Sequence, residues 1–175
     1  YVVYHGVDLS EFVFERRERT PKSHKLLLVG RLTPAKGVHV LLQAFSMLKR
    51  HGSPMKNCSL TIAGEGEEAY SRDLKKMIVD DQLEDAVSFL GKVKRERMPS
   101  LFREHDLFIF PSLWQEPFGI VIIEAMASGL PVVGTFIGGA AEILQDVENS
   151  IVCKPDDPAD LAHKISLVLD RKSVV

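Results

Sequence analysis

Two carboxylates stand eight positions apart, Glu116 and Glu124, and the segment between them, Pro117-Phe118-Gly119-Ile120-Val121-Ile122-Ile123, is almost wholly apolar. A carboxylate inside such a segment needs something to hold, because desolvating the charge alone is costly. Pro117 suits the first turn of a helix, which puts Glu116 at or just before the N-cap. Gly119 lets another group approach the backbone, and the free N–H groups near Gly119 and Ile120 would make an anion site. Glu116 would face whatever projects beyond that anion. Glu124, about two turns on at 3.6 residues per turn, could accept hydrogen bonds from a pair of vicinal hydroxyls. The bland reading is a capping carboxylate plus a core glutamate paired with an Arg or Lys elsewhere in the chain. The residues alone leave both readings open.

A second constellation is Gly30-Arg31-Leu32-Thr33-Pro34-Ala35-Lys36-Gly37, where a strand gives way to a helix. Cations are unfavourable at a helix N-terminus unless an anion joins them. Arg31 can fork onto a phosphate and Lys36 can add a point charge; the alternative is two solvated loop cations. This is no P-loop, since Lys36 is followed by Gly37 rather than Ser or Thr. Gly64-Glu65-Gly66-Glu67-Glu68-Ala69 matches the loose dinucleotide pattern G-x-G-x-x-A, but three carboxylates would crowd a pyrophosphate, so a tight turn entering a helix is the preferred reading. There is no D-x-D pair, no His/Cys/carboxylate cluster with metal spacing and no nucleophile motif, so a metal-independent site without a cofactor is the expectation. Trp114 could stack on a ring or simply pack.

Elements must position these groups. Apolar runs at Lys25–Gly30, Leu60–Ala63, Val87–Leu90, Leu107–Phe110, Pro131–Val133 and Ile151–Cys153 alternate with helical patterns at Gly37–Arg50, Glu67–Val79, Pro99–His105, Phe118–Ser128, Gly139–Leu144 and Pro158–Asp170. Strands alternating with helices imply a parallel sheet covered on both faces. The fold class is therefore α/β, a three-layer doubly wound parallel sheet of about six strands. Ligands in such a sheet bind beyond the carboxyl ends of the strands. Residues 1–24 read as a junction and linker, and residues 25–175 as the domain.

The chain has 175 residues, 45% of them hydrophobic and 26% charged, with a net charge of -2. This is a globular balance with no nucleic-acid surface. Cys58 and Cys153 read as reduced, packed thiols. No run is long enough to cross a bilayer, and the cytoplasm is the default location. The chain begins at Tyr1, within an apolar run, and reads as a piece of something longer or a processed product.

With Arg31, Lys36 and the Glu116–Glu124 pair in one α/β domain, the sequence resembles retaining glycosyltransferases of the GT-B fold, and more narrowly the family-4 "glycosyl transferases group 1". The resemblance rests on E-x7-E (Glu116 to Glu124), G-R-L-x-x-x-K-G (Gly30 to Gly37), G-x-G (Gly64 to Gly66), F-L-G (Phe89 to Gly91), P-S-x-x-E-P-F-G (Pro111 to Gly119) and the E-A-M-A-x-G-x-P-V-V run (Glu124 to Val133). It covers about residue 3 to about residue 170. Tyr4-His5-Gly6-Val7-Asp8 is similar to the family's N-G-V-D junction segment, with His5 where Asn is usual. Asp146–Ser150 lacks the two glycines usual in that turn.

The resemblance implies a Rossmann-like half of a GT-B enzyme, the nucleotide-sugar-binding domain, with the N-terminal acceptor domain absent from this chain. It implies that Arg31 and Lys36 bind the donor diphosphate beside Gly30, and that backbone at Phe118, Gly119 and Ile120 meets phosphate or sugar. Glu116 would contact the transferred sugar, Glu124 the ribose hydroxyls, and Lys92 and Val93 the base. Arg31, Lys36 and Glu116 are the implied catalytic residues. The implied partner is a UDP-, GDP- or ADP-sugar. An acceptor sugar, lipid or small molecule, and any peripheral membrane contact, would come through the rest of the parent protein. The fragment alone is expected to be inactive. Competing readings are a GT-B-fold nucleotide-sugar epimerase, a non-catalytic nucleotide-binding module and, more distantly, an NAD-dependent dehydrogenase.

Overall fold

A computed structural model describes residues 6–14, 23–50, 57–115, 117–145 and 150–170. Six strands, β1 (Lys25–Val29), β2 (Ser59–Ala63), β3 (Val87–Gly91), β4 (Leu107–Phe110), β5 (Val132–Thr135) and β6 (Ile151–Cys153), form one sheet. Among the described residues, six helices alternate with them: α1 (Val38–Arg50), α2 (Glu68–Asp80), α3 (Met98–Arg103), α4 (Ile120–Ala127), α5 (Ala140–Ile143) and α6 (Pro158–Leu169). Single 3-10 turns at Pro34–Lys36 and Arg95–Arg97 precede α1 and α3.

Every pairing is parallel and the strand order is β3-β2-β1-β4-β5-β6. This is the order of a doubly wound sheet, the fold class expected of the sequence. The strand period of two divides the core. Leu26, Leu28, Leu60, Ile62, Leu107 and Ile109 meet α1, α2 and α6 on one face. Leu27, Phe108, Phe110 and Val132 meet α3, α4 and α5 on the other. The chain winds outward from β1 with helices on the first face and outward from β4 with helices on the second, as right-handed crossovers require. The connections after β1 and β4 therefore diverge and leave a crevice at the carboxyl ends of these neighbours.

Two boundaries differ from the sequence reading in a way that matters. β5 runs on to Thr135, because Gly134 pairs with both Phe110 and Val152 and Thr135 pairs with Cys153. An apolar-run criterion does not see a glycine or a threonine as strand. α4 begins at Ile120, not Phe118.

Within the stretch read as junction and linker, Phe12 is fully buried, packed against Phe102 at 6.1 Å between ring centroids. At the far end, Asp157 caps α6 by accepting from the Asp160 N–H (2.9 Å), with Pro158 in the first turn. Cys58 and Cys153 are buried thiols outside any disulfide, as expected. No helix among the described residues is long and apolar enough to cross a membrane.

Candidate active site at the β1–β4 crevice

Beyond β1 the chain continues to lean on the loop after β2. The Gly30 N–H donates to the Ala63 carbonyl (3.0 Å) and the Leu32 N–H to the Glu65 carbonyl (2.9 Å), with a further bridge between Leu32 and Gly66. A Cβ on Gly64 would lie 1.7 Å from the Gly30 carbonyl oxygen, and one on Gly66 would lie 1.8 Å from that of Leu32. The G-x-G pattern is thus a backbone-to-backbone seam, which is the turn reading of these glycines.

The other end of the loop is fixed to β4. The Leu113 N–H donates to the Ala35 carbonyl (2.7 Å). Gly37 takes φ 65° and passes so close to Pro111 that a Cβ would sit 1.9 Å from its carbonyl oxygen. Held at both ends, the loop sets Arg31 and Lys36 along one cleft of about 320 Å³. Lys36 is half-buried, and burial, with the Arg31 charge beside it, lowers its pKa. Two cations so placed favour an anionic ligand.

The same cleft is closed by Phe118, Gly119 and Ile120. Gly119 is the N-cap of α4 at φ 86°, so Pro117 lies before the helix rather than in its first turn. This corrects the capping expectation: the left-handed cap needs glycine, and the helix cannot start until the chain has passed it. The start of α4, at Gly119 and Ile120, borders the cleft with the two cations, and a helix start is where backbone amides can face an anion. Glu116 lies outside the described residues. A second cleft of about 420 Å³ adjoins the first through Gly30 and Arg31 and is lined by Glu65, Lys92, Val93 and Met98. The Glu65 carboxylate accepts from the Lys92 N–H there (3.3 Å). Trp114 is 67% exposed and does not pack.

Glu124 is 2% exposed and borders neither cleft. It holds a cation from another element: Arg95 donates from Nη1 to its Oε1. The Arg95 guanidinium also stacks over the Phe12 ring, 4.9 Å from the centroid. The carboxylate raises the Arg95 pKa further above its already high value. The partner that the bland reading left unnamed is therefore Arg95. Its only signal in the sequence is the need of a buried carboxylate for a counter-charge, which does not say where the charge comes from.

Comparison with known proteins shows the family and the fold. The family model of glycosyl transferases group 1 matches residues 10–173. The chain belongs to that family. It is 35% identical to an uncharacterized glycosyltransferase of Methanocaldococcus jannaschii over 96% of this chain and 44% of the relative. A glycogen synthase of Mycobacterium tuberculosis is 33% identical over 97% of this chain and 39% of its own length. Among solved structures, Anabaena HepE in complex with UDP and glucose superposes with a TM-score of 0.84 at 28% identity, covering 98% of this chain and 47% of that one. The chain thus spans less than half the length of these group 1 relatives and has the Rossmann-like fold of the GT-B enzymes.

Proposed function

We propose that this chain is the donor-binding half of a retaining glycosyltransferase that moves a glycosyl unit from a nucleoside-diphosphate sugar to an acceptor. The observation that carries the reading is that Arg31, Lys36 and the start of α4 border one cleft at the carboxyl ends of β1 and β4. Such a cleft suits a diphosphate, whose charge grows as the sugar leaves. Fixed cations and amides stabilise that charge most where it develops. The diphosphate lies between Arg31, Lys36 and the amides of Gly119 and Ile120. The base lies in the adjoining cleft against Lys92 and Val93, and Glu124 serves the ribose. Glu116 contacts the transferred sugar. The complexes of Anabaena HepE with UDP and with UDP-glucose support a nucleotide-sugar ligand for a relative of this fold.

The acceptor is held by the part of the family length that this chain does not span. Calorimetric titration with UDP, GDP and ADP tests the donor site. One of the three should bind, and Arg31→Ala should weaken that binding about tenfold or more, as loss of a charge-assisted hydrogen bond does. Absence of binding by all three would remove the basis for the reading.

A further inference from the structure

We propose that Arg95 sets how tightly the site grips a nucleotide's ribose, because it competes with the 2′,3′-diol for Glu124. The inference rests on the donor-binding reading and adds a residue to it. The Glu124 carboxylate is buried on the apolar helix α4, where it must have a partner at all times. In the structure that partner is Arg95, and neither residue of the pair lines either cleft. In the proposed exchange a ribose reaches Glu124 by taking the place of the guanidinium.

Arg95 is built to leave. It sits on the 3-10 turn just past Lys92 and Val93, which line the second cleft. Its side chain is 53% exposed, so the released guanidinium returns to water at little desolvation cost. Glu11, on the junction segment, also favours its charged form. What is given up is the stack on Phe12 and one charge-assisted hydrogen bond. A vicinal diol supplies two O–H donors to the vacated carboxylate, so the buried charge stays satisfied through the exchange. The net gain from the ribose is therefore reduced by what Arg95 loses.

The test compares the nucleoside diphosphate that binds best among UDP, GDP and ADP with its 2′,3′-dideoxy analogue. Both are titrated by calorimetry into wild type, Arg95→Gln and Arg95→Lys. The ratio of dideoxy to ribo Kd should rise about tenfold in Arg95→Gln, because the ribonucleotide binds more tightly while the analogue does not change. Arg95→Lys, which keeps the cation, should stay near wild type. An unchanged or smaller ratio in Arg95→Gln overturns the proposal. Should that variant not fold, the side-chain 15N signal of Arg95 in wild type decides instead: it should move on adding the ribonucleotide and stay put with the analogue. Persistence of the Arg95–Glu124 pair in the ribonucleotide complex would overturn the proposal as well. Failure of wild type to bind any of the three nucleotides would overturn the donor-site reading itself, and this proposal with it. Binding with an unaltered ratio overturns this proposal alone.

Discussion

Buried ionisable side chains in this chain answer to different needs. Glu124 is paired with Arg95. His105, at the end of α3, lies buried with Nδ1 2.7 Å from the Leu101 carbonyl, and burial pushes its imidazole below the ordinary value of 6.5. The unfolded chain then binds more protons than the folded one as pH falls through that value, so stability declines on acidification. Urea midpoints taken at about pH 7.5 and about pH 5.5 should show this decline, and His105→Gln should shrink it. A loss of the same size in both proteins would mean that other groups carry the acid sensitivity. At this scale the sequence could say that Glu124 needs a partner. It could not say which, because Arg95 is 29 positions away and no local periodicity links them.

Elements convert these residues into a site through three seams of backbone. The loop after β1 is stitched to the loop after β2 at Leu32 and Gly66, the turn before α1 is pressed onto Pro111 at Gly37, and α4 starts from a left-handed Gly119. Gly66→Ala should force the first seam apart, since its Cβ would meet a backbone oxygen that has no flexible end to give way. The expected cost is roughly 2–3 kcal/mol of unfolding free energy, read from urea denaturation. Nucleotide affinity should fall as well, because Arg31 hangs on the displaced loop. A variant with wild-type stability and affinity would show that the loop can relax around the methyl group. The existence and type of each element were legible from hydrophobic period. The start of α4 was not, because proline at a first helical turn is the common case and the positive φ at Gly119 is set by contacts after folding.

At the scale of the molecule, the strand order places the loop after β1 and the start of α4 side by side, since β1 and β4 are neighbours while their connections diverge. That juxtaposition is the proposed donor site. It does not by itself orient an acceptor, and the family relatives are more than twice as long as the part this chain matches. The 175-residue chain is therefore expected to bind nucleotide and to gain thermal stability from it, by about 2.7 kcal/mol at a hundredfold excess over Kd. It should release no nucleoside diphosphate from UDP-, GDP- or ADP-sugars at a rate above background. Measurable turnover by this chain alone would contradict that expectation.

By itself, the sequence determined the alternation of strands and helices, the parallel sheet and the motifs whose order carries the family resemblance. These follow from local period and residue type, which tertiary contacts reinforce rather than reverse. Only the tertiary structure decided what fills the space around them. The G-x-G residues serve a backbone seam, α4 begins later than its proline suggests, Phe12 reaches back into the core, and Arg95 holds the buried carboxylate. Each of these is a contact between segments far apart in the chain. Close packing and the need to neutralise a buried charge select such contacts, and neither condition leaves a local mark in the sequence.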